Sequence, residues 1–295
     1  MVRNQHRLLL LLKLKCSMAL NDNKGAIGVF DSGYGGLTIL SQFAKLLPEY
    51  DYIYLGDNAR APYGNRSFDV VYEFTLQAVR RLFEMGCPLV ILGCNTASAK
   101  ALRTIQQCDL PKLDASRRVL GIIRPTVEVL GDITRNGHVG IFATEGTVQS
   151  QSYSIELKRM YPEMKVTAET CSMWVPLIEN REYESEGADY FVRKNIEHIL
   201  SKDPQIDTFV LGCTHYPLLL EKIKKYTPQG ITIVSQGEIV ANSLRTYLLR
   251  HPEMENRCIK NGSRIFYTTE SAEKFSDSAK IFLKDEVEAH RLMLS

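Results

Sequence analysis

The chain has 295 residues, of which 44% are hydrophobic and 24% are charged, a composition typical of a globular protein of about two domains. Its formal net charge of +2 is too small to favour nucleic acid or a membrane surface as a partner. Seven cysteines are an odd number in a chain large enough to fold without disulfides. We therefore expect reduced thiols and a cytoplasmic protein.

The N-terminal segment has some features of a leader sequence. Two arginines precede the apolar run Leu8–Leu12, but Lys13 follows after only five leucines. A secretory signal has a longer apolar centre, and a membrane-spanning helix needs about 20 apolar residues. We therefore expect residues 1–24 to be a disordered extension, with Met18 as an alternative start.

From residue 25 onward, short apolar runs alternate with helical patterns. The apolar residues between Phe68 and Glu84 share one helical face, with Ser67 as the predicted N-cap and Gly86 and Pro88 ending the helix. This alternation predicts an α/β fold with parallel sheets, whose strands are buried on both faces. The predicted strands are Ala26–Phe30, Tyr52–Leu55, Leu89–Leu92, Val139–Phe142, Val166–Ala168, Phe209–Leu211 and Ile231–Val234.

The sequence also contains an internal repeat. Residues 27–33 (IGVFDSG) are similar to residues 139–146 (VGIFATEG). At nearly the same offset, residues 90–96 (VILGCNT) are similar to residues 209–215 (FVLGCTH). Each half of the chain therefore contains an opening strand and a later strand that ends in Gly-Cys.

The repeat predicts two pseudo-symmetric α/β domains with an active site in the cleft between them. The chain changes domain near Gly121–Pro125, and no Ser/Gly-rich tether is present, so we expect the halves to pack closely. We assign residues 25–122 together with 236–295 to the first domain and residues 123–235 to the second.

Cys94 and Cys213 occupy equivalent positions in the repeat, each at the end of a predicted strand. Ligands of open α/β sheets bind beyond these strand ends, and a thiol at a helix N-terminus has its pKa lowered from about 8.5. Alternatively, each cysteine is only a small buried hydrophobic residue, but two equivalent cysteines favour a functional pair. No zinc-binding spacing is present, so we predict no metal. The other cysteines, expected to be structural or incidental, are Cys16, Cys87, Cys108, Cys171 and Cys258.

Residues 31–36 (DSGYGG) follow the first predicted strand and could offer backbone N–H groups to an anion. Thr38 stands where a dinucleotide fingerprint has its third glycine, so a carboxylate is a better ligand than a pyrophosphate. Alternatively, the glycines serve only a tight turn. Residues 56–64 (GDNARAPYG) belong to the same edge. Neutral donors to a small zwitterion would be Ser32, Tyr63, Asn95, Thr96 and Thr214, although each of these types is often only a cap or turn residue.

Six motifs resemble the cofactor-independent aspartate/glutamate racemase family, over nearly the whole chain from residue 25 to about 240. Two segments depart from the family pattern: Ser235-Gln236-Gly237 replaces Asp-Ser-Gly, and Ser172-Met173-Trp174 replaces a segment with Pro and Phe. Both lie outside the cysteine motifs and bear on local packing. The matching motifs are Ile27–Leu40, Gly56–Gly64, Gly93–Ser98, Ala143–Ser150, Val175–Glu179 and Leu211–Leu219.

The resemblance implies inversion of the α-carbon of glutamate without pyridoxal phosphate or any other cofactor. Such enzymes remove the α-proton on one face and deliver a proton on the other, so one cysteine is thiolate while the other is thiol. The family pattern makes Cys94 the base toward D-glutamate and Cys213 the base toward L-glutamate. Asp31 would assist Cys94, and His215 with Glu179 would assist Cys213. The implied substrate-binding residues are Asp31, Ser32, Tyr63, Gly64, Asn95, Thr96, Thr214 and His215.

The resemblance also implies a role in supplying D-glutamate for peptidoglycan, and it leaves a homodimer as one open assembly state. The closest alternative is a racemase of another acid, such as aspartate. A non-catalytic protein that binds small acids in the cleft is an alternative from a different class. A thiol redox protein is disfavoured by the absence of Cys-x-x-Cys, and a single-cysteine decarboxylase by the presence of two motif cysteines.

Overall fold

The computed structural model describes residues 24–294, so the predicted extension over residues 1–24 (apart from Lys24) and the alternative start at Met18 lie outside the described residues. Within this range the strands form two sheets. The strands are β1 (Ile27–Asp31), β2 (Tyr52–Gly56), β3 (Leu89–Leu92), β4 (Arg118–Gly121), β5 (His138–Ala143), β6 (Lys165–Thr170), β7 (Thr208–Gly212), β8 (Thr232–Val234), β9 (Arg264–Thr268) and β10 (Ala289–Arg291).

Helices connect the strands. Two 3₁₀-helices lie at Asn58–Arg60 and Tyr216–Leu219, and a π-helical turn lies at Ile105–Asp109. The α-helices are α1 (Leu37–Leu46), α2 (Phe68–Glu84), α3 (Asn95–Lys100), α4 (Leu102–Thr104), α5 (Leu110–Leu113), α6 (Ile123–Glu128), α7 (Leu130–Ile133), α8 (Glu145–Gln149), α9 (Ser152–Met160), α10 (Trp174–Glu179), α11 (Glu186–Lys202), α12 (Leu220–Tyr226), α13 (Gln236–Arg250), α14 (Pro252–Glu255) and α15 (Ala272–Leu283).

The strand order of the four-stranded sheet repeats that of four strands in the six-stranded sheet. The first, six-stranded sheet runs β10-β9-β2-β1-β3-β4 and the second runs β6-β5-β7-β8, and every pairing within them is parallel. The order β2-β1-β3-β4 matches β6-β5-β7-β8, so β1 corresponds to β5 and β3 to β7, as the repeat predicts. The predicted architecture of two pseudo-symmetric α/β units with parallel sheets is confirmed.

The C-terminal segment returns to the first sheet. After β8, helix α13 packs against α1, and β9 then pairs with β2 in register from Tyr52↔Arg264 to Gly56↔Thr268. Residues of the first sheet therefore come from both ends of the chain. The domain boundaries at residues 122/123 and 235/236 stay a prediction.

Helix α2 shows how the sequence pattern leads to packing. Ser67 Oγ accepts a hydrogen bond from the backbone N–H of Val70 at 3.4 Å, as expected of its N-cap, and Gly86 follows the helix with φ of +91°. Val71, Val79 and Leu82 on the predicted apolar face are fully buried. Burial of each such side chain contributes about 1.5–3 kcal/mol, so packing fixes this helix against the sheet.

The strand predictions were right in position and partly wrong in burial. All seven predicted strands form, but β6 and β8 are edge strands whose residues are mostly half-buried or exposed, so the expectation of burial on both faces is wrong for them. Strands β4, β9 and β10 were not predicted: β4 and β10 are short and partly exposed, whereas the apolar run Ile265–Tyr267 of β9 was missed.

No helix among residues 24–294 is long and apolar enough to span a membrane. Every cysteine in this range is a free thiol, and Cys108 is the exposed one among them. Cys16 lies outside the described residues.

Candidate active site

The carboxyl ends of β1, β3 and β7 form the candidate site. Asp31 is the last residue of β1. Cys94 lies two residues beyond the end of β3, and Cys213 directly follows the last residue of β7. Phe30 on β1 lies in register with Leu92 on β3, which places Asp31 beside the segment that carries Cys94. All three side chains are at least nine-tenths buried.

The turn of residues 31–36 presses against the cysteine segment of the other sheet. A Cβ on Gly35 would lie 2.4 Å from both His215 Nδ1 and Thr214 Oγ1, so only glycine allows this approach. Thr38 Oγ1 donates to the backbone oxygen of Thr214 at 3.0 Å. These contacts bring the strand ends of the two sheets together across one cleft.

Cys94 is held as a buried thiol. Its Sγ lies at the N-cap of α3, where it accepts a hydrogen bond from the Ala97 N–H at 3.4 Å, and it lies 3.4 Å from Ser32 Oγ. Burial, together with the negative charge of Asp31, raises the pKa of Cys94 to about 12 although both hydrogen bonds act in the opposite direction. The expectation that the helix N-terminus lowers this pKa is therefore wrong, because desolvation of the thiolate outweighs the dipole.

Cys213 has a different local setting. It is followed by a turn and then a 3₁₀-helix, Tyr216–Leu219, rather than by an α-helix. Its Sγ lies 3.8 Å from His215 Nδ1, and His215 Nε2 lies 3.0 Å from Glu179 Oε1 at the end of α10. The sulfur, imidazole and carboxylate thus lie in a continuous row, in the grouping that the family resemblance implies for these three residues.

His215 is charged in this row at neutral pH. Burial lowers its pKa, but the hydrogen bonds to Cys213 and Glu179 outweigh burial and bring the pKa to about 10. The ring also packs edge-on against Phe282 of α15, with centroids 5.6 Å apart. An imidazolium next to a sulfur stabilises the thiolate form, so the two cysteines have contrasting electrostatic surroundings.

Asp31 carries an unpaired buried oxygen. Its Oδ1 accepts a hydrogen bond from the Gly33 N–H at 2.8 Å, whereas Oδ2 is buried and has no protein partner. Burial raises the pKa of Asp31, and the charge of His215 acts in the opposite direction. A buried carboxylate oxygen without a partner is rare in proteins and needs an explanation, which a cationic group of a ligand would supply.

The remaining predicted donors are used in different ways. Ser32 faces Cys94, whereas the hydroxyl of Tyr63 donates to the carboxylate of Asp57. Thr96 Oγ1 lies 2.9 Å from Thr144 Oγ1 of the second sheet's connection. The backbone oxygen of Gly64 accepts from Gly146 N–H at 2.7 Å.

Asn95 Nδ2 donates to Gln236 Oε1 at 2.6 Å, and Asn95 Oδ1 accepts from the Tyr153 hydroxyl at 2.8 Å. Several predicted donors therefore bind partners in the protein.

Comparison with known proteins gives the family. Residues 37–244 match the sequence model of the family described as Asp/Glu/Hydantoin racemase. The chain belongs to this family. A glutamate racemase from Roseobacter denitrificans is 40% identical over 273 residues, which are 89% of this chain and 98% of that protein. The resemblance predicted from the six motifs is confirmed.

Solved structures of racemases have the same fold. A glutamate racemase isoform from Bacillus anthracis matches with a TM-score of 0.83 at 32% identity, covering 92% of this chain and 98% of that one. The glutamate racemase from Francisella tularensis, solved in complex with D-glutamate, matches with a TM-score of 0.81 at 29% identity, covering 93% and 98%.

Several site residues of this racemase-family chain escaped sequence reasoning. Tyr153 and Phe282 contact Asn95 and His215, respectively, from helices outside the six motifs, and Thr38, which lies within a motif, contacts Thr214 although no binding role was predicted for it. Gln236 had a signal, since it departs from the family pattern, but that departure was interpreted as local packing. The polar atoms that meet in the site come from segments far apart in the sequence. The spacing of residues along the chain does not predict such contacts.

Proposed function

We infer that this protein is a glutamate racemase, an isomerase that interconverts L-glutamate and D-glutamate. The observation that carries this inference is the pair Cys94 and Cys213, which follow the equivalent strands β3 and β7 of the two sheets. The charge of Cys213 is one of the influences that raise the pKa of Cys94, so the two sulfurs lie within electrostatic range. Two proton carriers of this kind are what inversion at a carbon requires.

We propose that the two thiols exchange protons with opposite faces of the α-carbon. From D-glutamate, the Cys94 thiolate takes the α-proton, and the Cys213 thiol delivers its own proton to the other face to give L-glutamate. The reverse reaction begins with the Cys213 thiolate and the Cys94 thiol. Each turnover therefore leaves the proton on the opposite sulfur, and the resting state is restored by proton exchange or by reverse turnover.

The two bases would be generated differently. His215, held by Glu179, would stabilise negative charge that develops on the Cys213 sulfur during proton transfer. Cys94 is a thiol in the free protein because it is buried. The substrate ammonium would bind the unpaired Oδ2 of Asp31, which removes the repulsion between that carboxylate and a developing Cys94 thiolate. Substrate binding would thus let Cys94 release its proton to solvent, while Cys213 holds the proton that it delivers to D-glutamate.

Neutral donors and backbone N–H groups would hold the substrate carboxylates. Ser32, Thr96 and Thr214 lie near the strand ends, and Gly64 lies in the loop that meets the second sheet, whereas the hydroxyl of Tyr63 in the same loop already donates to Asp57. Asn95 would bind through those amide and backbone hydrogens that its protein partners leave available. His215 borders the same space from the Cys213 side. The proposed substrate is thus a small zwitterionic diacid.

Circular dichroism of L-glutamate incubated with the protein and no added cofactor tests the function directly. We expect the signal to decay to zero as the racemate forms, while L-aspartate under the same conditions keeps its signal. Decay with L-aspartate alone would establish an aspartate racemase. Binding of glutamate without decay would establish a binding protein. Cys94→Ser is the matched control for contaminating racemase activity.

We further propose a cytoplasmic role in the supply of D-glutamate for peptidoglycan and cell-wall growth. L-glutamate is an abundant intracellular metabolite, and the thiol pair requires a reducing compartment to remain reduced. We also propose a homodimer as the assembly, to be tested by analytical ultracentrifugation. Complementation of a D-glutamate auxotroph would test the physiological role.

A further inference from the structure

The side chains of Gln236, Tyr153 and Asn95 form a closed ring of hydrogen bonds next to Cys94. Gln236 Nε2 donates to the Tyr153 hydroxyl at 2.9 Å, and that hydroxyl donates to Asn95 Oδ1 at 2.8 Å. Asn95 Nδ2 completes the ring by donating to Gln236 Oε1 at 2.6 Å. All three side chains are more than nine-tenths buried. Each group donates to the next, and such rings strengthen cooperatively in a low-dielectric interior.

The second hydrogen of the Gln236 amide extends this ring to the point where the chain changes sheets. Gln236 Nε2 donates to Thr126 Oγ1 at 2.9 Å, and Thr126 Oγ1 donates to the backbone oxygen of Ile122 at 2.8 Å. Ile122 precedes α6, where the chain leaves the first sheet, and Gln236 begins α13, where it returns. The Gln236 side chain therefore connects the two segments where the chain passes between the sheets, and it also bonds Asn95 and Tyr153 of α9.

The length of glutamine is necessary for this arrangement. Residues 235–237 are the place where the sequence departs from the Asp-Ser-Gly pattern that the resemblance implies. A serine at this position lacks the reach to contact Asn95, Tyr153 and Thr126 together, and it has a single O–H to donate. The ring therefore depends on the length and the two amide hydrogens of the Gln236 side chain.

We propose that Gln236 is a positioning residue for the racemisation reaction, which acts through Asn95 to hold the Cys94 side of the cleft at a fixed distance from Cys213. The inference rests on the proposed function, because it assigns Gln236 a role in that chemistry. Asn95 directly follows Cys94, which is the N-cap of α3, so the ring anchors the segment that carries the thiol. A displacement of 1 Å between reacting groups lowers a rate by about 100-fold.

The test compares kcat and KM in both directions for the wild type, Gln236→Met, Tyr153→Phe and their double variant. We expect each single variant to lower kcat by about 10- to 100-fold in both directions and to change KM by less than about threefold. The double variant should lose about as much kcat as Gln236→Met alone, because both changes break one ring.

Tyr52→Phe is the matched control. The Tyr52 hydroxyl is also buried and donates to the backbone oxygen of Leu47 at 3.0 Å, but it lies in the first sheet, away from the cleft. Tyr52→Phe removes the same oxygen atom as Tyr153→Phe, so it should lower the melting temperature to a similar extent and leave kcat at the wild-type value. A merely structural ring would give Tyr153→Phe this same pattern.

The proposal is overturned if kcat of Tyr153→Phe stays within twofold of the wild type, if Tyr52→Phe loses as much, or if the losses in the double variant multiply. Should Gln236→Met fail to fold, Tyr153→Phe still decides the question because it removes one oxygen atom. The wild-type assay separates the two hypotheses: without glutamate racemisation by the wild type the proposed function itself fails, whereas an active wild type with active ring variants refutes only the role of Gln236.

Discussion

Gly35 is the residue whose replacement tests the packing of the cleft most directly. In Gly35→Ala, the added Cβ would lie 2.4 Å from His215 Nδ1 and Thr214 Oγ1, whereas ordinary van der Waals contact begins at 3.4 Å. The backbone of Gly35 has no left-handed φ, so the substitution acts through space alone. The turn and the Cys213 segment must therefore separate by about 1 Å to relieve the overlap.

This separation gives the expected magnitude. Overpacking of this kind destabilises by about 1–3 kcal/mol, which a domain-sized protein tolerates. A displacement of about 1 Å between reacting groups lowers a rate by about 100-fold. We therefore expect a folded Gly35→Ala protein whose kcat falls by about 10- to 100-fold in both directions, because both proton transfers need both sulfurs in place.

Racemisation followed by circular dichroism gives kcat, and calorimetry gives the melting temperature. Gly187→Ala is the matched control: its Cβ meets only Ser185 Oγ at 3.4 Å, at an exposed position of α11. This change should leave kcat unaltered and stabilise the helix by up to about 1 kcal/mol. Wild-type kcat in Gly35→Ala would refute the reasoning, since the clash would then be absorbed without moving the site.

When racemisation of L-glutamate runs in D₂O, we expect the D-glutamate formed early to contain solvent deuterium and the recovered L-glutamate to stay protiated, as measured by mass spectrometry. Early deuterium in the recovered L-glutamate would contradict a mechanism with two bases. Cys94→Ser and Cys213→Ser should each abolish turnover in both directions without unfolding, because a serine hydroxyl has a far higher pKa. His215→Asn should lower kcat from L-glutamate more than kcat from D-glutamate, and equal losses would indicate a binding role. The pKa of His215 is about 10, above its usual 6.5, so its stabilisation is complete below about pH 6.5 and lost as the pH rises through 10. The difference in urea-unfolding free energy between wild type and His215→Asn should shrink over that window.

The sequence by itself determined the architecture. Apolar runs identify seven strands because a strand buried between helices excludes polar side chains, and the repeat relates β1 to β5 and β3 to β7. Cys94 and Cys213 could be selected for the same reason: in a parallel sheet, residues that follow strands meet at one edge. Short edge strands such as β4 and β10 could not be found this way, since their exposed residues carry no apolar pattern.

Only the tertiary structure decided how the site works. It raises the pKa of His215 through Cys213 and Glu179 despite burial, raises the pKa of Cys94 by burial, leaves Asp31 Oδ2 unpaired and engages Asn95 with Gln236. Each of these properties depends on contacts across the cleft or on exclusion of water from it. The partners of Asn95 lie 58 and 141 residues further along the chain, and exclusion of water from the site sets the free-energy cost of a charge. Residue type and spacing identify the chemical groups, whereas distance and desolvation determine their protonation and their partners.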